Sequence, residues 1–372
     1  MGVQTVLILA PVHFYDDVRV FQKEAKTLAA NRYRVLLLAR AERSLIEEGV
    51  EVVPLPTFES RLLRFLNLPR IFWVTLKLKS DVYHLHNPDT LPIALLLKML
   101  GRRVIYDTHE DFSRAILGRK WMPRLIRHFI AKGVAFFELV VGRIVDQAIV
   151  TQTDMQRRLE KKAILVDNAP ISQGPLVDKA YTYARTLADD DCFRLVYIGL
   201  IGTSRGLFTM VDALDIANKR VPCRLWLIGP GDSGEILEAR ARPGWRAVDY
   251  IGRLPQSQAF GYVIKSHVGL ITFPDVGDNA SINPNKLYEY QLFGIPFIAS
   301  NFEKWRRSVR AVSGLYVNPG NPRDVADKIV WLAEHADERK NMGARGKEFV
   351  LASYNWETES KKLLAVYQEI AG

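Results

Sequence analysis

Ser281-Ile282-Asn283-Pro284-Asn285-Lys286-Leu287-Tyr288-Glu289-Tyr290-Gln291-Leu292-Phe293-Gly294-Ile295-Pro296-Phe297-Ile298-Ala299-Ser300 reads as a helix that feeds a buried strand. Proline presets φ for a first helical turn, so Pro284-Asn285 marks the start. Gly294-Ile295-Pro296 stops the helix, because proline cannot extend it and glycine turns the chain away. The run Phe297-Ile298-Ala299 lacks polar alternation, as expected of a parallel strand covered on both faces. Helix, turn and buried parallel strand form half of a βαβ unit, and the same alternation recurs in both directions from here.

Upstream, apolar runs at 193–198, 224–228 and 268–272 read as strands, each separated from the next by a helical period. The first half repeats the pattern at 5–10, 34–39, 82–85, 103–106 and 148–151. Between its first two strands Val18, Phe21, Ala25, Leu28 and Ala29 share one helical face, with Lys23, Glu24 and Lys26 largely off it. Residues 167–191 break the rhythm with Pro170, Gly174, Pro175 and Asp189-Asp190-Asp191. The expected fold class is therefore α/β, with two doubly wound Rossmann-like domains. The first covers 1–170 and the second 192–354, joined by a linker over 171–191. A C-terminal helix over 355–372 is expected to pack back on the first domain.

The chain of 372 residues carries a net charge of +10, unevenly placed. Residues 1–175 hold 26 Lys+Arg and 18 Asp+Glu, an excess of +8, which leaves +2 for the remainder. A basic first half suits an anionic partner, or equally a solvated surface. Cys192 and Cys223 lack metal-ligand spacing and read as buried core thiols. No apolar run reaches the ~18 residues needed to span a bilayer. The first residues lack the basic and small-residue pattern of a secretion signal, so the expected location is cytoplasmic.

Ligands of doubly wound sheets bind beyond the carboxyl ends of the strands. Gly199-Leu200-Ile201-Gly202-Thr203-Ser204-Arg205-Gly206 follows one strand, Gly229-Pro230-Gly231 another and Gly252-Arg253-Leu254-Pro255 a third. A glycine turn at a helix start can seat a phosphate, with Arg205 adding charge, though it reads equally as a tight strand–helix turn. Lys286 and Glu289 lie on one helical face. Together they can hold a diphosphate and a ribose; taken alone, the pair also reads as a solvated salt bridge.

The 281–300 segment resembles the nucleotide-binding signature of the retaining GT-B glycosyltransferases, a group that includes sucrose synthases and many bacterial polysaccharide and lipid glycosyltransferases. Residues 199–206 are similar to that group's glycine loop, Gly229-Pro230-Gly231 to its Gly-x-Gly turn, and Gly252-Arg253-Leu254 to the stretch against the base. In the first half, His13…Asp17-Val18-Arg19…Lys23-Glu24, then His84-Leu85-His86-Asn87-Pro88-Asp89 and Tyr106-Asp107-Thr108-His109-Glu110, resemble segments lining the cleft of one bacterial subgroup. The resemblance implies two domains facing a central cleft and transfer of a sugar with retention. It implies a UDP-sugar rather than a GDP-sugar as donor, with no cofactor and no bound metal.

On that resemblance His109, Arg205 and Lys286 are the catalytic residues. Gly202, Arg205, Gly229, Arg253, Leu254, Ser281, Lys286, Leu287 and Glu289 bind the donor, with amides near Gly202 and Leu287 on the leaving diphosphate. His13, Asp17, His86, Asp89 and Glu110 lie on the acceptor side. His84 and His86 are read as pointing to opposite faces, with His86 in the cleft. The chain departs from the signature at Ser281, where the usual first glutamate is missing, and at Leu200 and Arg205, which replace an arginine and a lysine. An epimerase or an inactive binding subunit is the alternative; no nucleic-acid recognition motif accompanies the basic charge. A helix over 123–143 sets Arg124, Arg127, His128 and Lys132 beside Leu125, Ile126, Phe129 and Ile130. It reads as a peripheral contact with an anionic membrane carrying a lipid-linked acceptor, or as a core helix with a basic edge.

Overall fold

The computed structural model describes residues 3–57, 61–109, 112–117, 122–159, 162–189, 191–277, 279–309 and 313–371. Two compact units result, Met1–Asn168 with Trp356–Gly372, and Ala169–Asn355. Glu110 and Trp121 lie outside the described residues.

The first unit holds an eight-stranded sheet: β1 (Thr5–Phe14), β2 (Arg34–Arg40), β3 (Leu45–Glu47), β4 (Val50–Leu55), β5 (Val82–His86), β6 (Arg103–Thr108), β7 (Gln147–Val150) and β8 (Ala163–Leu165). Its order is β3-β4-β2-β1-β5-β6-β7-β8, parallel except for the β3–β4 hairpin. Glu48 and Gly49 both take positive φ there, the mirror-image turn that matches the twist of a hairpin. Val6, Leu7, Ile8 and Leu9 of β1 are fully buried, which explains the run without polar alternation. The strand order reverses between β1 and β5.

The first helix departs from ordinary geometry. Val18–Ala25 is a wide π-helical segment that continues as the α-helical Lys26–Ala30. A 3.6-residue period puts Lys23 and Glu24 off the buried face, but the wider turn carries both inward with Arg19, and all three are buried. The C-terminal helix Trp356–Ala371 belongs to this unit. Its Trp356 indole donates to Thr27 Oγ1 (2.9 Å), and its Tyr367 hydroxyl lies 2.7 Å from His84 Nδ1.

The second unit holds six parallel strands: β9 (Phe193–Ile198), β10 (Cys223–Ile228), β11 (Val248–Gly252), β12 (Val268–Ile271), β13 (Phe297–Ser300) and β14 (Gly314–Val317). They run in the order β11-β10-β9-β12-β13-β14, so the reversal falls between β9 and β12. The stretch read as a linker, 171–191, contains the helix Pro175–Ala184. Gly261 of the helix Gln256–Lys265 lies against Tyr183 and Ala184 of that helix. Proline at the first position of a helix is compatible with helical φ, so Gly174-Pro175 starts this helix instead of interrupting one. Cys223 is buried, its thiol pushed up to about 12 by burial; Cys192 is only half-buried.

Candidate functional site

In the second unit the expected donor residues gather at the strand-order reversal. The Arg205 guanidinium lies 4.8 Å from the Phe273 ring centre, and Lys286 Nζ lies 5.8 Å from the same ring and 5.4 Å from that of Tyr197. Tyr197 sits in β9 and Phe273 just beyond β12, the two strands flanking the reversal. Burial pushes the Lys286 ammonium below its ordinary value, opposed by Glu289 and helped by Arg205. Lys286 reaches this point over Gly199, whose φ is +120° and where a Cβ would stand 2.6 Å from Nζ. Only glycine accommodates both the backbone and the lysine there.

Arg205 is held by Asn279, a residue that no motif in the sequence singles out as part of a donor site. Arg205 Nη1 donates to Asn279 Oδ1 (2.6 Å), while the Asn279 amide donates to the carbonyls of Ser204 (2.9 Å) and Pro274 (3.0 Å). Asn279 is buried, so the guanidinium is anchored at a fixed place.

Two expected amide donors are otherwise engaged. The turn at Gly202 is closed by Glu235, whose carboxylate accepts from Thr203 N (3.0 Å) and Thr203 Oγ1 (2.5 Å). A Cβ on Gly202 would stand 2.6 Å from that carboxylate, so glycine is needed here for space. The Leu287 amide donates to the Pro284 carbonyl at 3.1 Å, and its side chain is core. A carboxylate on the turn repels a second anion, so charge recognition falls to the side chains of Arg205 and Lys286. Glu289 is half-buried one helical turn after Lys286. Ser281 lies in a loop tied down by Trp305, which donates to the Ile282 carbonyl at 2.9 Å. Gly229 donates its amide to Gly252 O (2.8 Å), Arg253 is exposed and Leu254 packs on the core.

In the first unit the carboxyl ends of β1, β5 and β6 carry a buried polar cluster. His84 and His86 are both fully buried, their rings stacked with centres 4.6 Å apart. They share a face because residues two apart on a strand point the same way, which corrects the expectation of opposite faces. His86 therefore lies inside the protein and not on an acceptor surface. Asp89 lies elsewhere, paired with Arg64 at 2.8 Å.

His86 stands in register with Asp107 on the neighbouring strand. Arg19 grips the two buried carboxylates, with Nη2 2.9 Å from Asp107 and Nε 3.0 Å from Glu24. Burial works against ionising Asp107, yet Arg19 and the histidines hold its carboxyl well below the usual range; burial and Asp107 push Glu24 up. Burial lowers His86 to about 3, which keeps it neutral. Glu24, His84, His86 and Asp107 offer the donor types of a divalent-metal site, with one atom from each within 4.8 Å of the others. Arg19 already sits on both carboxylates with a fixed charge, and we assign no metal there.

His109 follows β6 directly and is slightly exposed. Its carbonyl accepts from Thr151 Oγ1 (2.8 Å), and its ring centre lies 5.3 Å from that of His13. His13 Nδ1 meets Asp17 Oδ2 at 3.0 Å and Nε2 meets the Asn87 amide at 2.8 Å. Burial opposes charging His13, but Asp17 and Asn87 outweigh it and raise its pKa. Asn87 pays for its place with a φ of 70°, a strained backbone for a non-glycine residue.

Residues 18–172 match the family model described as Glycosyltransferase Family 4, and residues 192–335 match that described as Glycosyl transferases group 1. Each unit is thus similar to one glycosyltransferase model. No curated protein sequence matches the chain. Among solved structures, sucrose-phosphate synthase from Thermosynechococcus elongatus is 17% identical with a TM-score of 0.76, covering 99% of each chain. HepE of Anabaena in complex with UDP and glucose is 12% identical with a TM-score of 0.72, covering 98% of this chain and 100% of that one. A glycosyltransferase from Rickettsia africae is 12% identical with a TM-score of 0.69, covering 100% and 99%. The fold is that of GT-B glycosyltransferases.

Proposed function

We propose that the protein transfers a sugar from a nucleoside diphosphate sugar, a UDP-sugar in preference to a GDP-sugar, with retention at the anomeric carbon. The observation that carries this reading is the convergence of Lys286 and Arg205 on Phe273 at the strand-order reversal of the second unit. Cleaving the donor separates charge, with an oxocarbenium-like sugar left behind as the diphosphate departs. Two cations fixed beforehand stabilise that leaving group without reorganising. HepE, whose structure holds UDP and glucose, supports the choice of base. His109 then contacts the sugar or the acceptor. Incubation with a panel of UDP- and GDP-sugars, followed by NMR of the new anomeric linkage, tests donor, transfer and retention together. Nucleotide binding without turnover would favour an inactive binding subunit, and release of an altered sugar nucleotide would favour an epimerase.

Glu289 accepts the ribose hydroxyls on this reading. Glu289→Gln is expected to weaken UDP binding while leaving inorganic pyrophosphate binding unchanged, as measured by calorimetry. An equal loss for both ligands would make Glu289 a structural residue and remove the ribose assignment.

The acceptor is a lipid-linked sugar used in polysaccharide or glycolipid synthesis, met at the inner face of a membrane where the protein is peripheral. Among the described residues no helix is long and apolar enough to cross a membrane. The helix Arg124–Ile144 instead exposes large apolar side chains: Leu125 is 86% exposed, Phe129 80% and Phe136 68%. Arg124, His128 and Lys132 are exposed beside them. Glu138, the acidic residue of this helix, faces inward, accepting from Tyr106 (2.9 Å) and Thr108 (3.0 Å) and pairing with Arg158 (2.5 Å). The outer surface is thus apolar and basic, which suits an anionic bilayer interface. Co-sedimentation is expected with anionic vesicles at low salt, and not with neutral ones, and to be lost in Arg124→Glu/Arg127→Glu. Recovery in the supernatant under every condition would remove the membrane assignment.

A further inference from the structure

We propose that Asp107 is a positioning residue for His109, holding the imidazole by its inner nitrogen so that the other nitrogen serves the reacting sugar or acceptor. The inference rests on the proposed transfer reaction for its kinetic consequence, but its structural content stands independently. His109 follows Asp107 by two residues, so both side chains leave the chain on one side. His109 Nδ1 lies 3.7 Å from Asp107 Oδ1, and both atoms are buried without a hydrogen bond; His86 Nδ1, also without one, stands 3.8 Å from the same oxygen but on a fully buried ring. Polar atoms left facing each other in a dry interior are costly, and the small movement that closes this gap satisfies both. With Nδ1 turned inward, Nε2 lies on the outward side of the ring.

The rest of the cluster fixes Asp107. Arg19 holds its other oxygen at 2.9 Å, and Arg19 is itself fixed by Glu24. The Val18–Ala25 segment that supplies both is π-helical, and its wide turn is what brings them to the sheet end. An ionised carboxylate behind an imidazole sets its tautomer and stabilises its charged form. The groups facing His109 are Asp107 from β6, His13 at the end of β1 and Asp17 just after it, Arg19 and Glu24 from the π-helical segment, and His86 from β5.

A double-mutant cycle on kcat separates positioning from general structural support. His109→Gln and Asp107→Asn are each expected to lower kcat at unchanged UDP affinity, and Asp107→Asn is expected to cost little more once His109 is gone. Purely structural support predicts independent, multiplying losses instead. The second readout needs no turnover: with histidine ring nitrogens labelled in the full chain, NMR follows the tautomer of His109. Asp107→Asn removes the acceptor that faces Nδ1, so the Nδ1–H tautomer is expected to be lost. Arg19→Lys, which keeps the charge but loses the two-pronged grip, replaces Asp107→Asn in both experiments if the latter does not fold. An unchanged His109 tautomer, or independent losses in kcat, would overturn the proposal. A chain without transfer activity whose His109 tautomer still changes would refute the proposed function and leave the positioning role in place.

Discussion

Arg19→Met is expected to destabilise the first unit by about 3–5 kcal/mol, the cost of leaving buried charge without its partner. The guanidinium is buried between Asp107 and Glu24, and both carboxylates are fully buried. Glu24 can relieve part of the strain by taking up a proton, since burial and Asp107 already push its pKa up. With Arg19 gone, Asp107 loses the strongest of the charges that hold it ionised, so burial favours its protonation too. Protonating either carboxyl therefore offsets part of the loss, and the variant should be least stable at higher pH, where neither carboxyl binds a proton. Urea unfolding followed by hydrogen exchange, which separates the two units, gives the measurement. The contrasting substitution is Arg34→Met: Arg34 pairs with Glu51 at 3.0 Å in water, and its loss should be barely measurable. Equal effects for the two variants would show that the buried cluster contributes no more than a surface ion pair.

Lys286→Ala and Arg205→Ala are each expected to weaken UDP binding by about 1.5–3 kcal/mol, the range of a hydrogen bond to a charged group, or roughly 10- to 150-fold in Kd. The two should differ in what accompanies the loss. Lys286 is desolvated over Tyr197, Phe273 and Gly199, so its removal eliminates a buried charge that the free protein tolerates poorly, and Lys286→Ala should fold at least as stably. Arg205 is bonded to Asn279, so Arg205→Ala also frees a buried amide and should cost some stability. Calorimetry with UDP and thermal melts of the free proteins check both halves. Wild-type affinity in both variants would place the donor diphosphate elsewhere.

Much of this architecture is written locally in the chain. Uninterrupted apolar runs such as Val6–Ala10 and Leu195–Ile198 identify strands covered on both faces, because a parallel sheet offers neither face to water. Pro284-Asn285 and Gly294-Ile295-Pro296 bound the helix Lys286–Leu292 through backbone chemistry that belongs to those residues wherever they stand. Short edge strands escaped the reading. β3 and β8 have three residues each, too few for a period, although Glu48-Gly49 was a legible hairpin turn.

The linker reading of 171–191 followed from composition, but helix formation over Pro175–Ala184 is settled by packing against another helix of the same unit. Sequence alone determined two doubly wound halves, a cation at Lys286 and at Arg205, and a histidine-rich end to β5 and β6. Which cations and carboxylates meet was decided only by tertiary structure. Asn279 reaches Arg205 across 74 residues, and Arg19 reaches Asp107 across 88. The periodicity of Val18–Asn31 placed Glu24 on the wet side, and only the π-helical turn, adopted where the segment packs on the sheet end, brought it inside. Local patterns record which residues one element buries. The partners of a buried charge are set by where the elements come together, and in this fold that is the point where each sheet reverses its strand order.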